Sequence, residues 1–205
     1  MTEPSRAGAN HEISLAVWDV PSPVVIGHRT TLKVGISCQS RCSLAGTAIE
    51  IRDEQGASIG CGRVGAEPWP GTMALYWVEI DVMTPATDGD RAWSIAAATA
   101  DETHTPLTSV ARVIACRPPE HRVTFEVIEK TCGGPLAGVE LRVGAFRAAT
   151  DDAGIACVAV PGATYDIGTW KLGYKVLSKT TDIARDLTIR LELIAVPEAE
   201  QPYWM

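Results

Sequence analysis

Thr150-Asp151-Asp152-Ala153-Gly154-Ile155-Ala156-Cys157-Val158-Ala159-Val160-Pro161-Gly162-Ala163-Thr164-Tyr165, running on to Gly173-Tyr174, is the stretch whose reading decides the fold. Asp151 to Gly154 is tight-turn chemistry: an Asp carboxylate bonds its own backbone, and Gly accepts a positive φ at no steric cost. An alternating apolar run follows, Pro161-Gly162 breaks it, and a second run begins. The stretch therefore reads as short strands joined as hairpins within a β-sandwich. Gly162 and Gly173 are expected to serve the same backbone need as Gly154. Tyr165 is expected to point into the core, its hydroxyl reaching a backbone partner at the rim.

Period-two alternation extends outward in both directions, and no window of a dozen residues holds a helical stripe. Val123, Phe125 and Val127 alternate with Arg122, Thr124 and Glu126; Val139, Leu141 and Val143 alternate with Glu140 and Arg142; Leu187, Ile189, Leu191 and Leu193 alternate with Thr188, Arg190 and Glu192. Upstream, Arg117-Pro118-Pro119-Glu120 stiffens the chain without donating ladder hydrogen bonds and marks a boundary. Before it, Leu32 to Cys38, Ile49 to Ile51, Tyr76 to Val82, Trp93 to Ala97 and Leu107 to Cys116 read as strands. With Glu12 to Val20 and Ala57 to Arg63 they make about seven, the number in an immunoglobulin-like sandwich. The cysteine pair of a true immunoglobulin domain is missing, because Cys38 finds no cysteine on the strand around Trp93.

Residues His121 to Leu193 resemble the carboxypeptidase regulatory-like domain, a small transthyretin-like sandwich. The resemblance rests on Pro135-Leu136-Ala137-Gly138-Val139, Thr150-Asp151 with Gly154, Pro161-Gly162 with Tyr165, and Gly173-Tyr174. It implies a structural or binding appendage with no catalytic residues of its own. Two enzymatic relatives of the transthyretin-like fold need paired histidines or two Tyr and two His, and this half of the chain holds only His121. Family spacing also turns Ala156, Val158 and Val160 inward and leaves Ile155, Cys157 and Ala159 on the outer face. An apolar outer row calls for a cover, either the first domain or another chain.

The expected architecture is all-β, two tandem β-sandwiches, immunoglobulin-like and then transthyretin/carboxypeptidase regulatory-like. The expected segments are an N-terminal tail at 1–11, the first sandwich at 12–117, a linker at 118–120, the second sandwich at 121–193 and a C-terminal tail at 194–205. That tail holds Tyr203-Trp204, aromatics suited to docking into a partner groove.

The chain has 205 residues, 46% of them apolar and 21% charged, enough for real cores. Its formal net charge is −7 with Lys and Arg scattered, so the basic footprint of a nucleic-acid partner is missing. Met1 to His11 shows no apolar stretch after a basic start, and nowhere do about 18 apolar residues run together. The expectation is a cytoplasmic protein with no membrane span.

Cys38 and Cys42 flank Gln39-Ser40-Arg41. A common metal, with Cys61 as a third thiolate, is one possibility, but zinc sites show two tight pairs or a pair plus histidines. The histidines His11, His28, His104 and His121 are far apart, so no metal and no cofactor are expected; a Cys38–Cys42 disulfide and unlinked thiols both stay open. No Gly-x-Ser-x-Gly nucleophile motif and no phosphate loop is present. The resulting expectation is a non-catalytic binding or assembly subunit with a protein partner or a second copy of itself. The candidate interface comprises Ile155, Cys157, Ala159, Trp69, Trp170, Tyr203 and Trp204. The alternatives are an accessory subunit of a multi-subunit redox enzyme, where similar sandwiches occur, and a carbohydrate-binding module in which Trp69 or Trp170 stacks on sugar rings.

Overall fold

The computed structural model describes residues 11–98 and 104–196 and divides into two compact units, Met1–Cys116 and Arg117–Met205. Among the described residues every regular element is a strand. Among the described residues no helix is long and apolar enough to cross a membrane.

The first unit contains β1 (Ile13–Trp18), β2 (Val24–Val25), β3 (Arg29–Cys38), β4 (Ala48–Arg52), β5 (Ser58–Arg63), β6 (Tyr76–Met83), β7 (Gly89–Ala98) and β8 (Leu107–Cys116). They form a three-stranded sheet in the order β1-β3-β6 and a five-stranded sheet in the order β2-β8-β7-β4-β5. Leu32, Val34, Ile36 and Cys38 on β3 are buried, as their alternation predicts, and face Ile49, Ile51, Trp93 and Ile95 in one core. Each such side chain contributes roughly 1.5–3 kcal/mol on burial. A one-residue slip would expose the whole row, so the alternation sets the register. The two-residue β2 runs parallel to β8, with Val24 opposite Ala115, and is too short to leave a periodic signal.

The outer face of the three-stranded sheet carries an aromatic lid. Gly35 sits beneath it, where a Cβ would approach Leu75 Cδ1 and the Trp18 ring to 2.9 Å. The loop after β5 folds back through a Trp69 N–H that donates to the Leu75 carbonyl at 2.7 Å. The Trp69 ring then stands edge-on to Trp18, at 5.2 Å between centroids, and to Trp77, at 4.7 Å. The Lys33 ammonium lies 5.4 Å from the Trp69 ring centre and bonds Asp19 at 2.7 Å.

The second unit contains β9 (His121–Glu129), β10 (Glu140–Val143), β11 (Phe146–Ala149), β12 (Ile155–Val160), β13 (Ala163–Trp170), β14 (Ser178–Ile183) and β15 (Leu187–Leu193). A four-stranded sheet, β11-β10-β13-β14, packs on a three-stranded one, β12-β9-β15, in which β15 runs parallel to β9. Val123, Phe125, Val127, Leu141, Ile167 and Leu191 fill the space between them.

The decisive stretch behaves differently from its hairpin reading. β11, β12 and β13 lie in alternating sheets, so the turns at 150–154 and 161–162 are arches from one sheet to the other. The turn chemistry itself is as expected. Asp151 Oδ1 accepts from the N–H groups of Ala153 and Ile155, and the Gly154 N–H donates to the Asp151 carbonyl. Two contacts convert this turn into an arch. Buried Thr150 donates its hydroxyl to the Leu136 carbonyl at 2.6 Å while accepting from the Val139 N–H at 2.8 Å. Gly154, at φ 74°, passes so close to β9 that a Cβ would lie 2.6 Å from the Val127 carbonyl oxygen.

Gly173 has the positive φ expected of it, whereas Gly162 does not. Space is the constraint at Gly162, where a Cβ would meet His121 Nε2 at 3.2 Å. The Tyr165 ring packs on the core, and its hydroxyl donates to the Pro161 carbonyl at 3.0 Å.

Candidate metal centre

Antiparallel pairing places Ile13 of β1 opposite Cys38 of β3. Beyond that pair, the Gln39 N–H donates to the Glu12 carbonyl at 3.2 Å, so the residue before Glu12 must face the turn that follows Cys38. That residue is His11, and its Nδ1 lies 3.0 Å from the Cys42 sulfur. His11 also forms a parallel bridge with His104 in the β7–β8 connection, and their rings meet edge-on at 5.5 Å.

Four donors thus converge: one ligand atom each from His11, Cys38, Cys42 and His104, all within 4.8 Å of one another. Cys38 and His104 are buried, while His11 and Cys42 are half-buried. The turn between the cysteines is shaped by Arg41, which adopts φ 57°, a left-handed conformation uncommon for any residue but Gly. Its N–H donates to the Cys38 carbonyl at 2.9 Å. Burial pushes the Cys38 thiol up, but the backbone N–H of Cys42, the His104 side chain, the backbone N–H of Ser40 and the Cys42 side chain outweigh it and hold the thiol at about 6. Hydrogen bonds of that kind favour the thiolate, which is the form that binds metals.

Spacing alone left the histidines unassigned, and the expectation of no metal followed from it. Strand register brings two of those histidines, His11 and His104, to the cysteine pair. Cys61, the third thiolate considered, is exposed on β5 and takes no part. Cys38 and Cys42 are not joined in a disulfide.

The remaining candidate residues separate into distinct surroundings. Cys157 and Ala159 are exposed and Ile155 is half-buried, on the outer face of β12 as family spacing placed them. The apolar row is a single strand wide at the edge of its sheet, and its neighbours on β9 are Arg122, Thr124 and Glu126. Trp69 belongs to the aromatic lid. Trp170 is 55% exposed, and Leu172 and Val176 in the loop after it are 73% and 67% exposed. The Lys175 N–H donates to the Ile194 carbonyl, and the Val196 N–H to the Gly173 carbonyl, both at 2.8 Å. These bonds bring exposed Ile194 to the same end of the sandwich. Trp170 also walls a cleft of about 520 Å³ on the outer face of the four-stranded sheet, shared with Glu140, Arg142, Arg147 and Gly168. Tyr203 and Trp204 lie outside the described residues.

No family model matches this sequence, and no curated protein matches it. Solved structures with a similar arrangement include BcpA, the major pilin subunit of Bacillus cereus, at 8% identity and TM-score 0.36, covering 90% of this chain and 70% of that one. The fibronectin(III)-like modules of Clostridium thermocellum CbhA align at 10% identity and TM-score 0.36, covering 84% and 95%. Escherichia coli alpha-2-macroglobulin aligns at 12% identity and TM-score 0.39, covering 92% of this chain and 14% of that one. Likeness at this level carries no functional argument.

Proposed function

We propose that the chain is a non-catalytic binding or assembly subunit that acts through protein–protein contacts. The observation that carries this reading is the apolar end of the second sandwich, where Trp170, Leu172, Val176 and Ile194 are exposed together. Exposed positions elsewhere on β13 and β15 hold Arg, Thr, Asp and Glu, and large apolar side chains left exposed at one end of a sandwich mark interaction sites. The test compares wild type with a Trp170→Ser, Leu172→Ser, Val176→Ser variant in cross-linking and sedimentation. A partner or a second copy engaged by wild type and lost by the variant supports the reading; equal engagement by both removes it.

A second reading, carbohydrate binding, has one observation in its favour: the exposed Trp170 ring flanks open space at Gly168, where an added Cβ would meet nothing within 4 Å. A sugar ring stacked there would be lost in Trp170→Ala and retained in Trp69→Ala. Glycan binding that is absent from wild type, or insensitive to Trp170, rejects it.

A further inference from the structure

We propose that His11, Cys38, Cys42 and His104 form a structural zinc site that ties the start of β1, the turn after β3 and the β7–β8 connection into one joint. This assignment is independent of the interaction reading, which rests on the other sandwich.

The donor set selects the ion. Two thiolates and two imidazoles in a compact group suit Zn²⁺, whereas Mg²⁺ and Ca²⁺ require oxygen ligands. Distances agree with the choice. Zinc with bonds of about 2.3 Å to sulfur and about 2.0 Å to nitrogen has tetrahedral edges of roughly 3.3–3.8 Å. The four ligand atoms lie within 4.8 Å of one another, so the longest separation need shorten by no more than about 1–1.5 Å to close the tetrahedron. The His11–Cys42 edge, now 3.0 Å, opens by about half an ångström to reach its place in it.

The backbone is arranged for the same end. Arg41 holds the left-handed conformation that turns the chain between the cysteines, its N–H donating to the Cys38 carbonyl at 2.9 Å. A non-Gly residue held there reflects a local demand on the turn. Four protein donors complete the coordination, which is the structural type of zinc site; a catalytic one keeps an open position. Binding releases to the buffer whatever protons Cys38 and Cys42 carry as thiols, with no redox step.

A Cys–His catalytic pair is the competing use of these residues. It needs one thiol, one imidazole and an open face, whereas here Cys38 and His104 are each only 4% exposed. A Cys38–Cys42 disulfide is the other competitor, and it would leave both histidines without a role.

The full chain, purified without chelator and supplemented with Zn²⁺, is expected to carry one zinc per chain by native mass spectrometry and elemental analysis. Cys42→Ser and His11→Ala should lose it, while Cys61→Ser and His28→Ala should keep it. Cobalt substituted into wild type should show tetrahedral ligand-field bands with thiolate-to-metal charge transfer, and the charge transfer should fall by about half in Cys42→Ser, which removes one of two thiolates. If the variants unfold, zinc added back to chelator-stripped wild type decides the matter through one-to-one binding and a raised melting temperature. Failure of stripped wild type to take up zinc, preferential loading with iron, or a Cys38–Cys42 cross-linked peptide in the isolated protein would each overturn the assignment.

Discussion

His11 Nδ1 and Cys42 Sγ lie 3.0 Å apart although 31 positions separate them in the chain. The contact follows from the β1–β3 register, which sets Ile13 against Cys38 and so carries His11 past the strand end to the turn. That register depends on core alternation, with Leu32, Val34 and Ile36 facing inward. A surface-chemical property at one end of the sandwich is thereby coupled to packing in its centre.

Thiol accessibility separates the cysteines. Cys61, Cys132 and Cys157 are exposed, Cys42 and Cys116 are half-buried, and Cys38 is buried. Brief alkylation of the native protein should therefore modify the exposed three first and leave Cys38 untouched until denaturant is added. Peptide mapping checks the order, and early modification of Cys38 would contradict its burial.

Thr150 satisfies two buried backbone groups with one hydroxyl. Thr150→Val keeps the volume and strands both, so it should lower unfolding free energy by about 3 kcal/mol, from roughly 1–3 per orphaned group. Thr150→Ser keeps the hydroxyl and should lose about 1 kcal/mol or less. Denaturant midpoints for the pair provide the measurement.

Gly154→Ala should be more damaging than Gly27→Ala. Both positions have positive φ, but a Cβ at Gly27 meets nothing within 4 Å, whereas at Gly154 it meets the Val127 carbonyl. The expected losses are about 1 kcal/mol at Gly27 for the backbone alone and about 3 kcal/mol at Gly154 once crowding is added. Equal losses would show that β9 yields at the arch.

Two tryptophans should respond oppositely to removal. Trp69→Ala dismantles the edge-on contacts with Trp18 and Trp77 and should cost about 2–3 kcal/mol together with near-UV circular dichroism intensity. Trp170→Ala removes an exposed ring and should change stability by no more than about 0.5 kcal/mol. Thermal unfolding followed at near-UV wavelengths tests both.

Tyr165→Phe removes the bond to the Pro161 carbonyl. The expected loss is about 1 kcal/mol with the fold intact. Amide exchange should quicken locally around Pro161 and Gly162 while the centre of β9 stays protected.

Legibility in the sequence followed the strength of the burial pattern. β3 and β9 were plain because Leu32-Val34-Ile36 and Val123-Phe125-Val127 put an apolar residue into the core at every second position. β14 was not, because of its residues only Ile183 is buried and Lys179, Thr180 and Asp182 leave no apolar row. At Thr150 to Gly154 the turn chemistry was readable but its partner was not. The same Asp and Gly serve a hairpin or an arch, and the choice lies with the strand that β12 pairs. In the candidate metal centre, Cys38 and Cys42 declare themselves by proximity, whereas His11 and His104 carry no local signal.

The sequence by itself determined the all-β class, the inward residues of the strictly alternating strands and the turn at Asp151 to Gly154, because alternation and turn conformation are local properties of the chain. Tertiary structure alone decided that this turn joins two sheets, that Trp69 is a lid while Trp170 is exposed, and that two distant histidines meet two cysteines. Those outcomes depend on strand register and sheet pairing, which arise from the cooperative burial of residues remote in the chain.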